Sequence, residues 1–128
     1  SQTIQKTDLD LSSATLVAGT TDTKGFLDGP AASALFSAPV SLALALGSDG
    51  TATHVFVVDQ GNAALRAINL KDATVETLVG AALITGAVPG TLGNAGLYWP
   101  KGVAITPAGD LLVTTSDGLM QLTAPLNK

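Results

Sequence analysis

Short runs of alternating apolar and polar residues, separated by clusters of glycine, proline and aspartate, make up most of the chain. None of these runs has the length or the period of about 3.6 residues that a packed helix requires. Alternation with a period of two, ended by turn residues, predicts β-strands. The predicted strands cover residues 14–19, 40–46, 54–58, 64–70, 74–79, 102–105, 111–115 and 119–122. We therefore expect an all-β chain.

The spacing of the strands predicts how the chain is organised. The polar residues 1–13 are expected to form an N-terminal arm or a loosely held edge, and residues 14–128 a single module. Only tight turns separate the four strands between residues 40 and 79, which predicts an antiparallel meander. Residues 102–122 supply three further strands, and residues 14–19 supply one.

The second half of the chain repeats the first. Thr15-Leu-Val-Ala-Gly19 matches Thr77-Leu-Val-Gly80, and residues 34–44 match residues 95–105. Pro39 thereby matches Pro100, at an offset of 100 − 39 = 61 residues. A fixed order of strands that repeats at this spacing is typical of propellers and arrays, whose units need a neighbour to cover their apolar faces.

The residues of this repeat resemble the NHL family. The segments that carry the resemblance are Gly25-Phe-Leu-Asp-Gly-Pro30, Ala34-Leu-Phe-Ser-Ala-Pro39, Val57-Val-Asp-Gln-Gly-Asn62 with the following Arg66, and Thr77-Leu-Val-Gly80. The second copy, at 95–122, is degenerate, with Thr114-Thr-Ser-Asp117 in place of the family's Asp-x-Gly-Asn. NHL repeats build β-propellers with one four-stranded blade per repeat, so the resemblance implies antiparallel blades of NHL type.

The strand count predicts how the blades close. Alignment of the repeats makes residues 14–19 a fourth, outer strand, and makes residues 102–122 the first three strands of a blade. One strand plus three completes a blade, so the chain amounts to about two blades, whereas a propeller ring needs about four to eight. The chain is then a fragment of a longer propeller or a building block. Pairing of residues 14–19 with 119–122 would join three copies into a cyclic trimer of about six blades.

Composition excludes several classes of function. Of the 128 residues 46% are hydrophobic and 12% charged, which suits one domain with a buried core. The net charge of -4 and six scattered basic residues argue against nucleic acid as a partner. No run approaches the roughly 20 apolar residues of a membrane span. The low charge and the abundance of Ala, Thr, Gly and Ser slightly favour an extracellular setting.

The residues that could carry chemistry are few. His54 is the sole histidine, and with no cysteine and one glutamate the chain is short of ligands for a zinc site. We therefore predict no catalytic residue, no metal site and no cofactor. Asp59, Asn62 and Arg66 suit a tight turn with an ion pair, which is a structural interpretation; ligand binding is the alternative.

One face of the predicted propeller is the candidate binding surface. In a propeller, the loops between blades and the loops between second and third strands lie on the same side. This side gathers the candidate residues Asp28, Gln60, Asn62, Trp99, Lys101 and Asp117, with Phe36 and Tyr98 beside them. Trp99 and Tyr98 are either binding anchors or packing residues, and since neighbours in an extended segment point opposite ways, at most one need be core.

These observations predict a non-catalytic scaffold that mediates protein–protein or ligand binding and assembly. Its expected partners are another protein or further propeller blades, including copies of the chain itself. The alternative is part of a propeller hydrolase or lyase whose catalytic residues lie in blades absent from this chain.

Overall fold

The computed structural model describes residues 2–7, 14–80, 99–116 and 118–123, and these form three antiparallel sheets with no α-helix among them. The N-terminal sheet pairs β1 (Ile4–Thr7) with β2 (Ala14–Ala18). The central sheet has the order β3-β7-β6-β5-β4, and the C-terminal sheet the order β10-β9-β8. Their bounds are β3 (Gly29–Pro30), β4 (Pro39–Leu46), β5 (Ala52–Asp59), β6 (Ala64–Asn69), β7 (Thr74–Gly80), β8 (Gly102–Ile105), β9 (Leu111–Thr115) and β10 (Gly118–Leu122). The all-β, antiparallel architecture is that of a β-propeller-like fragment.

The central sheet is buried on both faces, and this explains the unbroken apolar run in β5. Val55, Phe56, Val57 and Val58 are all buried. Successive side chains of a strand point to opposite faces, so a strand covered on only one face would alternate with polar residues. We call the face carrying Phe56 and Val58 the C-terminal face, and that carrying Val55 and Val57 the N-terminal face, after the sheets that cover them.

Each face contributes to its own core. On the C-terminal face the buried cluster includes Phe56, Val58, Leu65, Leu78, Leu111, Val113 and Leu122, with Val103, Ile105 and Met120 packed against it. On the N-terminal face the buried cluster consists of Ile4, Ala18, Ala31, Ala34, Phe36, Val55, Val57, Ile68 and Val75. A 3-10 turn at Ala31–Ser33 places part of the loop between β2 and β4 in this second core.

The N-terminal sheet is a structural copy of β6 and β7. The pair Ile4↔Ala18 corresponds at the repeat spacing to Leu65↔Val79, and both ladders have a bulge directly after that residue of the first strand. Gly19 and Gly80 both have positive φ, of 101° and 93°. A side chain at either glycine would press against backbone, at Gln2–Thr3 in one copy and at Ala63–Ala64 in the other. β1 is therefore the equivalent of a third strand and β2 of a fourth.

β8 and β9 are likewise a structural copy of β4 and β5. The cross-strand pair Leu44↔Val55 corresponds to Ile105↔Leu111, and the neighbouring pairs keep the same register. The residues before the two matching prolines, Ala38 and Trp99, both lie in the left-handed region, with φ of 55° and 45°. The repeat seen in the sequence thus extends to backbone conformation.

Two expectations about the ends of the module need correction. Residues 14–19 were expected to pair with 119–122, but β2 pairs with β1, and β10 pairs with β9. Residues 4–7 of the expected N-terminal arm form the paired strand β1, so the N-terminal region contributes two strands rather than one. Two plus three exceeds one four-stranded blade, so the strand count that suggested a closed trimer changes, while the trimer itself stays a prediction. β1 escaped the sequence analysis because Ile4 is its only buried residue.

Candidate functional site

Arg66 occupies the centre of a cluster of polar and aromatic side chains on the N-terminal face. We call it the Arg66 cluster, and its members are Arg66, Asp28, Asp59, Asn62, Thr77, Phe26 and Phe36. Arg66 lies on β6, and its side chain is fully buried. Nη1 donates to Asp59 Oδ2 at 2.7 Å and to the carbonyl oxygen of Leu35 at 2.9 Å. Because a buried charge is costly without a partner, the ion pair with the equally buried Asp59 is what makes an arginine tolerable here. The pairing expected from the sequence is confirmed.

Asp28 is the second carboxylate of the cluster. Its Oδ1 accepts from Arg66 Nε at 3.1 Å and from Nη2 at 2.9 Å, while Nη2 also donates to the carbonyl oxygen of Leu27 at 2.9 Å. Thr77 on β7 donates to the same carboxylate through its backbone N–H at 3.1 Å and its hydroxyl at 3.0 Å. All five N–H groups of the guanidinium are therefore engaged, and none is left to bind a ligand.

Two phenylalanine rings pack over the guanidinium. The Arg66 carbon Cζ lies 4.9 Å from the Phe26 ring centroid and 4.6 Å from that of Phe36. Such cation–π contacts gain strength when the cation is shielded from water. Together with the bonds to Leu27 and Leu35, they attach the loop between β2 and β4 to the central sheet.

Asp59 connects this cluster to the turn after β5. Its carboxylate accepts from the side-chain amide of Asn62 and from the backbone N–H of Ser37, both at 2.7 Å. Burial raises the pKa of Asp59, and the hydrogen bonds from Asn62, Ser37 and Arg66 oppose this rise. Asn62 also donates to the carbonyl oxygen of Gly25 at 2.7 Å, so the turn and the loop are tied together.

The six predicted site residues separate into two groups. Asp28 and Asn62 belong to the Arg66 cluster, and Asn62 is buried, so neither is a free recognition group. Gln60 donates to the carbonyl oxygen of Pro100 at 3.0 Å, which brings it to the segment holding Trp99 and Lys101. The structure thus assembles part of the expected surface, and we call Gln60, Trp99 and Lys101 the tryptophan surface. Asp117 lies outside the described residues.

The aromatic residues of the expected surface differ in their exposure within this chain. The side chain of Trp99 is 55% exposed, whereas Phe36 is fully buried and was wrongly expected at the surface. Tyr98 lies outside the described residues. Lys101 is exposed, and its backbone N–H donates to the carbonyl oxygen of Thr114 at 2.8 Å, so β9 holds the segment in place.

The remaining candidates show no metal-binding arrangement in the described parts of the chain. No group of three or more His, Asp or Glu side chains comes together there. His54 stacks on Phe56 with ring centroids 6.4 Å apart, and its Nδ1 lies 3.1 Å from the Thr53 hydroxyl. Phe26 and Thr77 also belong to the cluster and were not predicted from the sequence, although both lie within segments that carry the resemblance. No helix among the described residues is long and apolar enough to cross a membrane.

Comparison with solved structures supports the fold. A protein of unknown function from Bacteroides thetaiotaomicron matches 95% of this chain with a TM-score of 0.82 at 20% identity. Auxiliary nutrient binding proteins from B. thetaiotaomicron and Bacteroides ovatus match 92% and 95% of it, with TM-scores of 0.73 and 0.75 at 16% identity. The chain spans only 30% to 32% of the length of these proteins. No family model and no curated protein matches the sequence.

Proposed function

We propose that this chain is a non-catalytic module of an NHL-type β-propeller, and that it contributes a binding surface to a larger protein. The repeated register of its sheets and the NHL-like residues around Arg66 support the propeller type. The matched structures are about three times as long as the chain, which supports the larger protein. In this proposal the Arg66 cluster is structural and the tryptophan surface is functional.

The observation that carries the binding proposal is the placement of Trp99. Its equivalent in the other copy of the repeat is Ala38, which has the same left-handed backbone. An exposed indole gains nothing from the core, and left-handed backbone is unfavourable for a bulky residue. Exposed aromatic residues with polar neighbours are common anchors of binding sites. Since two matched proteins are described as nutrient binding, we propose a soluble nutrient as the ligand.

Trp99 also supplies the assay, because it is the only tryptophan of the chain. A panel of soluble oligosaccharides, dipeptides and nucleosides is titrated while the emission of Trp99 is followed. We expect one class to shift the emission. For that class, calorimetry should show at least a tenfold loss of affinity in Trp99→Ala and a smaller loss in Lys101→Ala.

Lys71→Ala is the matched control, since Lys71 is exposed in the turn after β6, whereas Gln60 lies before the start of that strand. Its affinity should equal that of the parent. An unchanged emission with every class, or equal affinity in Trp99→Ala and the parent, would contradict the proposal.

A further inference from the structure

The innermost strand of the central sheet carries an exposed apolar stripe. Every second residue of β4 is large and apolar, and about half or more of each side chain is exposed: Val40 50%, Leu42 50%, Leu44 46% and Leu46 61%. Leu42 and Leu44 pair across the ladder with Val57 and Val55, so they lie on the N-terminal face. We call these four residues the β4 stripe. A contiguous apolar surface of this kind marks an interaction site.

The other copy of the repeat shows what covers such a stripe. Val103 and Ile105 on β8 hold the places of Leu42 and Leu44, and they are partly buried against the core of the C-terminal face. There β8 lies against β4, whose residues on that face are small: Ser41, Ala43 and the buried Ala45. The Ser41 hydroxyl accepts from the backbone N–H of Val103 at 3.4 Å. The large residues of β8 thus pack on the small residues of β4, which is the equivalent strand in the preceding copy of the repeat.

The neighbouring sheet explains why the β4 stripe is exposed. On the N-terminal face, β1 and β2 correspond to third and fourth strands, and they pack over β5, β6 and β7. In the central sheet, β4, β5 and β6 are the first, second and third strands counted from the β4 edge. The first two, β4 and β5, form a hairpin that lies beside β6. The equivalent hairpin beside β1 would lie over the β4 stripe.

We propose that the β4 stripe and the outer edge of β1 are the docking surface for a two-stranded β-hairpin from another segment of the same polypeptide. This rests on the proposed function, in which the chain is part of a larger propeller. The strand of the hairpin that faces the stripe carries small residues such as Ser, Ala or Gly at alternate positions. The greater length of the matched structures provides chain for it. The C-terminal sheet of a second copy fits less well, because it has three strands where two fit beside β1.

The test appends to the full chain the hairpin that the repeat assigns to this place. A copy of residues 39–61 is placed directly before Ser1, where the repeat spacing connects it to β1 without a linker. The appended strand then offers its own Ser41, Ala43 and Ala45 to the β4 stripe. We expect Tm to rise by about 5 °C or more, and the fluorescence of added anilinonaphthalene sulfonate, which reports exposed apolar surface, to fall.

Two variants make the effect specific. Leu42→Ser with Leu44→Ser in the original β4 should lower the Tm of the unextended chain only slightly, since both residues are about half exposed, but should abolish the rise caused by the appended hairpin. Leucine at the appended Ser41 and Ala43 should also abolish it. A hairpin that leaves Tm unchanged, or stabilises the L42S/L44S chain equally, overturns the proposal.

A third measurement separates the alternatives. Light scattering of the unextended chain should show a monomer. A discrete oligomer that the L42S/L44S substitutions dissociate would assign the β4 stripe to a second copy and overturn the proposal. Failure of the nutrient titration would leave these outcomes unaffected, because the tryptophan surface and the β4 stripe are tested by different variants.

Discussion

Leu44 and Ile105 hold the same place in two copies of one repeat, yet their surroundings differ. Ile105 is partly buried and packs against the core between the central and C-terminal sheets, whereas Leu44 is 46% exposed on the opposite face of the central sheet. Backbone register and chemical class are the same in both copies. The difference therefore comes from the neighbouring sheet. On the C-terminal face, the C-terminal sheet packs against the central sheet up to and including β4, whereas on the N-terminal face the N-terminal sheet leaves the β4 stripe exposed.

On the N-terminal face, we expect the Arg66 cluster to make the largest contribution to the free energy of unfolding. Arg66→Ala removes the partner of the buried Asp59 and the bonds that hold the loop, which should cost about 3–5 kcal/mol of unfolding free energy. Chemical denaturation followed by circular dichroism measures this. Arg66→Lys keeps the charge but loses the planar fork, so its cost should be intermediate.

Lys71→Ala, at an exposed turn, is the control and should stay within about 0.5 kcal/mol of the parent. An Arg66→Ala protein as stable as this control would show that the cluster is not structural. Loss of ligand binding without loss of stability would lead to the same conclusion.

Matched truncations of Ile105 and Leu44 test the comparison itself. Ile105→Ala removes apolar contacts at a partly buried position and should cost about 2 kcal/mol, the lower end of the range for core isoleucine. Leu44→Ala, at the equivalent but about half-exposed position, should cost less than about 1 kcal/mol. Both values come from urea unfolding of the same chain. Equal costs would mean that the β4 stripe is covered in solution.

The two equivalent glycines test whether both halves depend on the repeat in the same way. Gly19→Ala and Gly80→Ala each place a methyl group against the start of the adjacent third strand, and both have positive φ. Each should lose more than about 1 kcal/mol. Gly50→Ala also has positive φ but open space around it, so it measures the backbone strain alone. If Gly19→Ala were no worse than Gly50→Ala, the contact of β1 with β2 would contribute little.

The smallest expected effect is on pH dependence. Burial raises the pKa of Asp59 in the native state. At pH values just above the ordinary pKa of aspartate, the native state therefore binds more protons than the unfolded chain. Acidification then favours the native state through this group. The Tm of the parent minus that of Asp59→Asn should increase as the pH falls from about 6 to about 3.

Asp49 provides the opposite case in an exposed turn. A hydrogen bond from the Thr51 backbone N–H lowers the pKa of Asp49, so its stabilising contribution is lost as the pH falls. The Tm of the parent minus that of Asp49→Asn should therefore decrease over the same range. The same sign for both variants would contradict the assignment of causes.

The sequence was most informative where a strand is covered on both faces or bounded by turns. All eight strands predicted from alternation are present, and the meander of β4 to β7 has its predicted extent within one or two residues at each end. Two strands were missed: β3, which has only two residues and makes the central sheet five-stranded, and β1, because a mostly polar strand has no apolar pattern. The repeat spacing would have predicted β1, because Gln2–Thr3 lie beside Gly19 just as Ala63–Ala64 lie beside Gly80.

The candidate site was harder to predict because its residues come together through long-range contacts. Asp28 and Asn62 were assigned to a surface by the expected position of their loops, but Arg66 and Gly25 engage them from distant parts of the chain. The expected position of its loop also placed Phe36 at the surface. Its ring is instead buried and packs over the Arg66 guanidinium. Spacing along the chain identifies neighbours within a hairpin and does not show which loop folds back on which strand.

The Arg66 bonds to Leu27 and Leu35 span 39 and 31 residues of chain, and this distance has a kinetic consequence. The hairpins of the central sheet close through short turns, so they are formed at low entropic cost early in folding. The loop can dock only on a sheet that already presents Arg66. Contacts made after the folding barrier slow unfolding and leave the folding rate nearly unchanged. We therefore expect loss of the Arg66 cluster to accelerate unfolding while leaving the folding rate nearly unchanged.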